Sequence, residues 1–141
     1  MDRHATAVWQ GNLKEGSGTI DTQSGALSQK PYSFKARFED ERGETGTNPE
    51  ELIAAAHAGC FARQLSHFLA ENGTPAEKLE AKATVTLIPG TGITRSAIDL
   101  VGTVPGIDQA KFTELANKAK EGCPVSKALG AIEVTLNARL A

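Results

Sequence analysis

The sequence predicts an α+β fold in a single domain over residues 1–141. Short alternating segments lie at both ends of the chain, and one long apolar segment with clear helix signals lies between them. Strands and helices alternate too little to indicate a parallel sheet. A chain of 141 residues has room for one ordinary core, since separate cores usually need about 100 residues each. We therefore expect antiparallel strands and a long buried central helix.

The first third of the chain predicts strands. Alternating segments separated by glycine or by Lys30-Pro31 predict strands over residues 5–10, 17–21, 25–28 and 32–38. An antiparallel meander is the simplest arrangement of such closely spaced strands. Residues 39–47 are polar, contain two glycines and lack apolar periodicity, so they predict an exposed loop.

Several signals for a helix start coincide after this loop. Asn48 suits the N-cap, Pro49 suits the first helical position, and two acids follow near the positive end of the helix dipole. The segment ends near Asn72-Gly73, which predicts a helix of about 24 residues and roughly 36 Å. Its first half is apolar almost all round, so we expect that half to be buried at the centre.

The rest of the chain predicts three strands and two helices. Alternating residues predict strands over residues 79–88, 93–104 and 132–140. A Pro-Gly-Thr-Gly turn between the first two strands is typical of a β-hairpin. Asp108 suits the N-cap of a helix over residues 109–120, and Pro124 begins a short helix over residues 125–129. Cys123 therefore lies at or immediately before the N-cap of that short helix.

Composition excludes several classes of protein. Lys and Arg total 15 against 17 for Asp and Glu, so the formal charge of −2 gives no basic excess to bind nucleic acid. The longest apolar stretch, residues 52–62, is shorter than the roughly 20 residues that cross a bilayer, so no membrane is expected as a partner. The N-terminal segment lacks an apolar signal core, and we expect a cytosolic protein without a permanent disulfide.

The two cysteines are the best candidates for chemistry. Cys60 lies in the apolar half of the long helix beside small residues that leave space for a substrate, and the alternative is a small core residue. Cys123 lies at a predicted helix start, where backbone N–H groups lower the pKa of a thiol, and the alternative is a weak N-cap. If their helices pack together, the pair suits a thiol–disulfide cycle.

Three further residues are candidates to support a reactive thiol. A thiolate needs a nearby cation, and a partly buried cation needs a carboxylate to hold it. Arg37, among aromatic residues, is a candidate for the cation, and Glu50 for the carboxylate. The alternatives are a solvated strand arginine and an acid that interacts with the helix dipole. His57, one turn before Cys60, is a candidate base or a packed core residue.

No cofactor or metal is predicted. The three histidines, His4, His57 and His67, and the two cysteines show no close paired spacing of the kind that zinc sites use. No phosphate-binding loop and no GxSxG motif occur in the sequence.

Two separate motifs resemble the OsmC/Ohr family of thiol-dependent hydroperoxide reductases. They are TNPEELIAAAHAGCF and, further along the chain, AKEGCPVSKAL. The resemblance extends to PYSFKARFE and VPGIDQAKF and so covers nearly the whole chain. The His57-Ala58 pair and CPVS are more similar to the OsmC branch than to the Ohr branch.

This resemblance implies an obligate, intertwined homodimer with a pair of long helices at its centre and an active site at each end of the interface. It implies that Cys60 is the peroxidatic cysteine, which an organic hydroperoxide oxidises to a sulfenic acid, and that Cys123 is the resolving cysteine. Arg37 and Glu50 match the supporting pair of the family. The resemblance also implies that an external dithiol of the lipoyl type reduces the Cys60–Cys123 disulfide.

Two other functions are compatible with the same residues. A non-catalytic protein would hold a small apolar ligand in a pocket at the dimer interface, and its cysteines would be incidental. A redox sensor would use the same cysteine pair to signal through its disulfide to a partner. Steady-state consumption of peroxide distinguishes an enzyme from both.

Overall fold

The computed structural model describes residues 1–141 and confirms the α+β class, with six strands and four helices. The chain divides into two compact units, Met1–Pro49 and Glu50–Ala141. The prediction of one domain over residues 1–141 stays a prediction. None of the helices has the length and apolar character needed to cross a bilayer.

The first unit contains the predicted antiparallel meander. Its strands are β1 (Ala5–Gln10), β2 (Ser17–Thr22) and β3 (Lys30–Ser33), in the order β1-β2-β3. Trp9 and Tyr32 on the outer strands both pair with Gly18 of β2, and their ring centroids lie 5.3 Å apart. A Cβ at Gly18 would lie 2.6 Å from the Tyr32 ring, so this aromatic pair requires glycine on the central strand.

Two strand predictions in this unit are wrong. Residues 25–28 form bends instead of a strand, and the backbone N–H of Thr22 donates to the Leu27 carbonyl across them. Residues 32–38 divide into the end of β3 and the short helix α1 (Phe34–Phe38). The hydroxyl of Ser33 accepts a 3.0 Å hydrogen bond from the Ala36 N–H, and this cap favours a helix despite the alternating aromatic residues. Arg37 therefore lies on a helix.

The predicted loop over residues 39–47 is mostly exposed, but Thr47 at its end is buried. The Asp40 carboxylate organises the loop, because it accepts three backbone N–H bonds and a 2.8 Å bond from the Thr45 hydroxyl. These hydrogen bonds, chiefly those of Thr45, lower the pKa of Asp40 to about 2.

The long helix α2 covers Pro49–Glu71 and begins directly after Asn48, as predicted. Its buried residues form one stripe at intervals of four: His57, Phe61, Leu65 and Leu69. The expectation that the first half is buried at the centre is wrong for a single chain. Ala55, Ala56 and Gly59 are exposed there, and His57 is the one buried residue. One helix face is enough to cover the core of this chain, so the other apolar faces stay in contact with solvent.

The second sheet contains a parallel pair of strands that we did not predict. Its strands are β4 (Lys78–Ile88), β5 (Gly92–Thr103) and β6 (Glu133–Leu140), in the order β4-β5-β6. The β4–β5 hairpin is antiparallel, as predicted, but β6 runs parallel to β5. Helices α3 (Gln109–Gly122) and α4 (Pro124–Ala128) form the crossover that returns the chain in the same direction. The prediction of antiparallel strands is therefore wrong for β6.

The core of the second unit forms from residues of α2, β5 and α3. Alternate residues of β5 are buried: Ser96, Ile98, Leu100 and Gly102. Phe61 of α2 and Phe112 of α3 are fully buried in the same cluster as Cys123. Asp108 caps α3 as predicted, because its carboxylate accepts a 2.7 Å bond from the Lys111 N–H. This packing brings the junction of α3 and α4 against α2.

Candidate active site

The two cysteines meet where α2 packs against the junction of α3 and α4. Cys60 on α2 is half-buried, Cys123 is fully buried, and both are free thiols. Their sulfur atoms are 2.9 Å apart and hydrogen-bonded. Cys123 occupies the N-cap of α4, as predicted, but its side chain makes no capping hydrogen bond. The condition for a thiol–disulfide cycle, that the two helices pack together, is met.

The surroundings of the two sulfurs shift their pKa values in opposite directions. Burial raises the pKa of the Cys60 thiol, and its hydrogen bond with Cys123 raises it further. Burial also acts to raise the pKa of Cys123, but the neighbouring Cys60 thiol and the backbone and hydroxyl of Ser126 act to lower it and outweigh burial. The pKa of Cys123 is therefore lowered. Within one chain, negative charge is more stable on Cys123 than on Cys60.

Arg63 is a cation that sequence reasoning did not connect with Cys60. It lies one turn after Cys60 on α2, and its charge acts to lower the pKa of that thiol, against the effects of burial and Cys123. The spacing of three residues between Cys60 and Arg63 could have predicted this, because residues three apart on a helix are neighbours.

The His57 side chain lies fully buried between two hydroxyl groups. Its Nδ1 is 2.7 Å from Ser96 Oγ, and its Nε2 is 2.7 Å from Ser126 Oγ. Burial lowers the pKa of His57, so its ring is neutral near pH 7. Both ring nitrogens bond to serines, so the structure favours the packed core residue of the two roles expected for His57. Sequence reasoning missed both serines.

Arg37 lies on α1 in the first unit. Its guanidinium carbon is 5.1 Å from the centre of the Phe38 ring, a cation–π distance. Arg37 lines a cavity of about 310 Å³ whose wall is mainly apolar and aromatic. The other lining residues include Trp9, Leu13, Tyr32, Phe34 and Phe38. An Arg side chain in such a wall can hold an anionic or polar group beside an apolar one.

Glu50 lies in the first turn of α2, ten residues before Cys60 on an unbroken helix. Ten residues of α-helix rise about 15 Å, so one chain does not place Glu50 beside its own Cys60. The structure thus brings Cys60 and Cys123 together and separates Glu50 from both along the helix axis.

Comparison with known proteins gives consistent matches over most of the sequence. The family model described as OsmC-like protein matches residues 41–137. Peroxiredoxin OsmC of Escherichia coli is 48% identical, with 99% of this chain and 97% of that protein covered. Organic hydroperoxide resistance protein OhrB of Bacillus subtilis is 35% identical, with 85% of this chain and 88% of that protein covered.

Solved structures have the same fold. The crystal structure of OhrB of Bacillus subtilis matches with a TM-score of 0.65 and 29% identity, over 96% of this chain and 98% of that chain. An OsmC-like protein from Mycoplasma pneumoniae matches with a TM-score of 0.75, over 100% of this chain and 98% of that chain. Its identity is 17%, so this second match concerns the fold alone.

Proposed function

The chain belongs to the OsmC-like family, and from this premise we propose that it is a thiol-dependent peroxidase that reduces organic hydroperoxides to alcohols. The observation that carries the proposal is the 2.9 Å contact between the sulfurs of Cys60 and Cys123. Relatives named peroxiredoxin and organic hydroperoxide resistance protein support it.

The first step is oxidation of Cys60. Its thiolate attacks one peroxide oxygen, the O–O bond breaks, and the alkoxide leaves and takes a proton to become the alcohol. Cys60 then carries a sulfenic acid. Half-burial supports this role, because Cys60 is the less buried of the two sulfurs and therefore the one that a peroxide reaches.

The second step is formation of the Cys60–Cys123 disulfide. The Cys123 thiolate attacks the sulfenic sulfur of Cys60, the S–O bond breaks, and hydroxide takes a proton to become water. An external dithiol then reduces the disulfide to two thiols and is itself oxidised to a disulfide. Lipoyl-type dithiols are the class of reductant that the family resemblance implies, and a cytosolic location stays a prediction.

Arg37 and Glu50 support the Cys60 thiolate. Cys60 needs a cation, because burial raises its pKa. Arg37 supplies that positive charge and stabilises the departing alkoxide, and Glu50 orients the guanidinium. The Glu50 that acts on a given Cys60 comes from a second copy of the chain, since the two residues are about 15 Å apart on one helix.

An intertwined homodimer supplies this second copy. The apolar first half of α2 is left exposed by the single chain, with small residues at Ala55, Ala56 and Gly59. Small side chains let two helices approach closely, and a dimer buries this apolar surface. In an antiparallel pair of α2 helices, Glu50 of each chain lies toward Cys60 of the other.

Peroxide consumption by two cysteine variants tests the assignment. The purified protein is mixed with an organic hydroperoxide and excess dithiol, and the loss of peroxide is followed. Cys60→Ser should abolish turnover, whereas Cys123→Ser should oxidise Cys60 once and then stall as a sulfenic acid that overoxidises. Equal residual turnover of the two variants with the same reductant contradicts these roles.

Comparison of two peroxides tests the substrate class. Burial of about four methylenes of an organic hydroperoxide contributes about 3 kcal/mol, which corresponds to roughly hundredfold selectivity. We expect a higher kcat/KM for cumene hydroperoxide than for hydrogen peroxide by about that factor. Equal efficiency, or a preference for hydrogen peroxide, contradicts the proposed substrate class.

Binding of an apolar ligand without chemistry is a second candidate function. The aromatic cavity of about 310 Å³ in the first unit favours it. If the protein turns over cumene hydroperoxide in the steady state and Cys60→Ser loses this turnover, a purely binding role is excluded. Absence of turnover, together with saturable binding of an apolar fluorescent probe, supports it.

A further inference from the structure

A buried polar bridge joins three elements of the second unit. His57 of α2 lies between Ser96 of β5 and Ser126 of α4, with 2.7 Å from each ring nitrogen to a serine Oγ. His57 and Ser96 are fully buried and Ser126 is 8% exposed, so either hydrogen bond is costly to break. A serine hydroxyl both donates and accepts, so both bonds form whichever nitrogen of the neutral ring carries the proton. The catalytic steps described above do not use this Ser96–His57–Ser126 bridge.

Helix α2 meets α4 and its N-cap at two points with matching spacing. On α2, Cys60 lies three residues after His57, so the two side chains lie on neighbouring parts of one helix face. Across the interface, Ser126 lies three residues after Cys123, the N-cap of α4. His57 Nε2 is 2.7 Å from Ser126 Oγ. The sulfurs of Cys60 and Cys123 are 2.9 Å apart. The hydrogen bond and the sulfur contact thus lie side by side.

Cys123 is part of the helical turn that carries Ser126. The carbonyl of Cys123 accepts a 3.1 Å hydrogen bond from the Lys127 N–H, which closes that turn. Helix α4 has five residues, too few to be stable alone, so its place depends on contacts with the rest of the protein. On the α3 side, the Cys123 N–H donates a 2.9 Å bond to the Ala119 carbonyl. On the α4 side, the bond between His57 and Ser126 is the corresponding attachment.

We propose that the Ser96–His57–Ser126 bridge holds Cys123 at bonding distance from Cys60, and that His57 is a positioning residue for the disulfide. Ser96 fixes the imidazole ring from the sheet, and the ring fixes the turn of α4 through Ser126. A thiol that is held in place forms a disulfide with a smaller loss of entropy than a thiol on a mobile turn. The bridge therefore raises the effective concentration of Cys123 at Cys60.

The consequence for turnover rests on the proposed function. The Cys60 sulfenic acid either reacts with Cys123, with release of water, or reacts with a second peroxide and becomes a sulfinic acid. A well-placed Cys123 favours the disulfide. After a pulse of peroxide without dithiol, mass spectrometry should therefore find more sulfinic acid in Ser126→Val than in Ser126→Thr. Equal amounts in the two variants contradict this consequence.

Equilibrium with a small dithiol measures the effective concentration without peroxide. The protein is mixed with oxidised and reduced dithiothreitol, so that an S–S bond forms in the protein as one breaks in the reagent, which gains two electrons and two protons. Ser126→Thr keeps the hydroxyl and Ser126→Val removes it, with nearly the same side-chain shape. We expect the equilibrium constant for the protein disulfide to be about threefold to tenfold lower in Ser126→Val, the range for loss of one hydrogen bond.

Replacement of His57 tests whether the hydroxyl acts through the imidazole ring. In His57→Leu the bridge is absent, so the constant should be low, and Thr and Val at position 126 should then give the same value. Ser96→Ala should make the difference between Thr and Val smaller, because the ring loses its attachment to β5. If His57→Leu does not fold, Ser96→Ala takes its place in this comparison.

Ile98→Val controls for a general loss of stability. Ile98 is buried on β5 two residues after Ser96, and its truncation destabilises the core without removing a hydrogen bond. This variant should keep the wild-type equilibrium constant. Three results overturn the proposal: equal constants for Ser126→Thr and Ser126→Val, a difference between them that persists undiminished without His57 or Ser96, or the same fall in Ile98→Val.

The bridge and the proposed function fail separately. Absence of peroxide turnover by the unsubstituted protein refutes the function and leaves the dithiothreitol equilibrium valid as a measure of the bridge. Normal turnover together with equal constants for Ser126→Thr and Ser126→Val refutes the bridge alone.

Discussion

Mixing an inactive variant with a poorly active one tests whether each active site is shared between two chains. The perturbations are Cys60→Ser in one preparation and Glu50→Ala in the other. Helix α2 is unbroken from Pro49 to Glu71, so the ten residues between the two positions correspond to about 15 Å along the axis. One arginine does not contact both groups across that distance. We therefore predict that the Cys60 and the Glu50 of one active site come from different chains.

The expected recovery is about a quarter of wild-type activity. The two variants are unfolded and refolded together in equal amounts, and random pairing gives a 1:2:1 mixture in which half of the dimers are heterodimers. One of the two sites in each heterodimer combines an intact Cys60 with an intact Glu50. The assay is consumption of cumene hydroperoxide with excess dithiol, and each variant refolded alone gives the baseline. Glu51→Ala, next to Glu50, is the matched control and should keep wild-type activity.

Two results would refute this reasoning. In the first, the mixture has no more activity than its two components, although purification through two different tags on the chains shows that heterodimers form. The protein could also be monomeric at the concentration of the assay while turning over peroxide. In either case the shared-site model is wrong, and Glu50 has a structural role at the start of α2.

Three further predictions concern stability and pH. Gly59→Ala adds a Cβ that meets nothing within 4 Å in one chain, so helix propensity should raise the free energy of unfolding by up to about 1 kcal/mol in urea titration; a decrease would show that the partner helix of the proposed dimer packs against this position. Gly102→Ala places a Cβ 2.5 Å from the buried Phe112 ring and should cost about 1–3 kcal/mol in the same assay; an unchanged midpoint would show that the ring moves freely. The lowered pKa of Asp40 means that its loop is fully stabilised above the usual carboxyl pKa of 3.8 and loses this stabilisation as pH falls through about 2. The NMR chemical shift of the Thr45 amide should therefore change with pH with a midpoint at about 2. A midpoint near 3.8 would show that the Asp40 carboxylate does not hold these hydrogen bonds.

Capping residues in the sequence predicted where the helices begin, because the start of a helix is set by residues within one turn of it. Pro49 and Asp108 mark helix starts because an N-cap or a fixed φ acts within one turn. Ser33 before α1 is the same kind of signal, but the alternating aromatic residues that follow it indicate a strand. The parallel pairing of β6 with β5 was not predictable in this way, because alternation indicates which residues face the core and not the direction of the neighbouring strand.

The sequence predicted the individual residues Cys60 and Cys123 of the candidate site, but not the distances and contacts between its residues. Cys60 and Cys123 were identified by their reactivity and their helices, whereas the 2.9 Å contact depends on packing between α2 and the α3–α4 junction. Ser96 carries no sequence signal for its role, since only the inward register of β5 brings it to His57. Exposure of Ala56 and Gly59 likewise depends on what covers α2, which the residues of the helix do not specify.

The short distance between the two sulfurs has a consequence for signalling. A disulfide has its sulfurs about 2.05 Å apart, so oxidation needs an approach of only about 0.9 Å from the reduced arrangement. A sensor must present different surfaces in its two states if a partner is to distinguish them. An approach of about 0.9 Å between the two sulfurs does not by itself supply such a change of surface. Repeated reduction of peroxide needs only that the sulfur–sulfur bond form and break, and this short approach is enough for that.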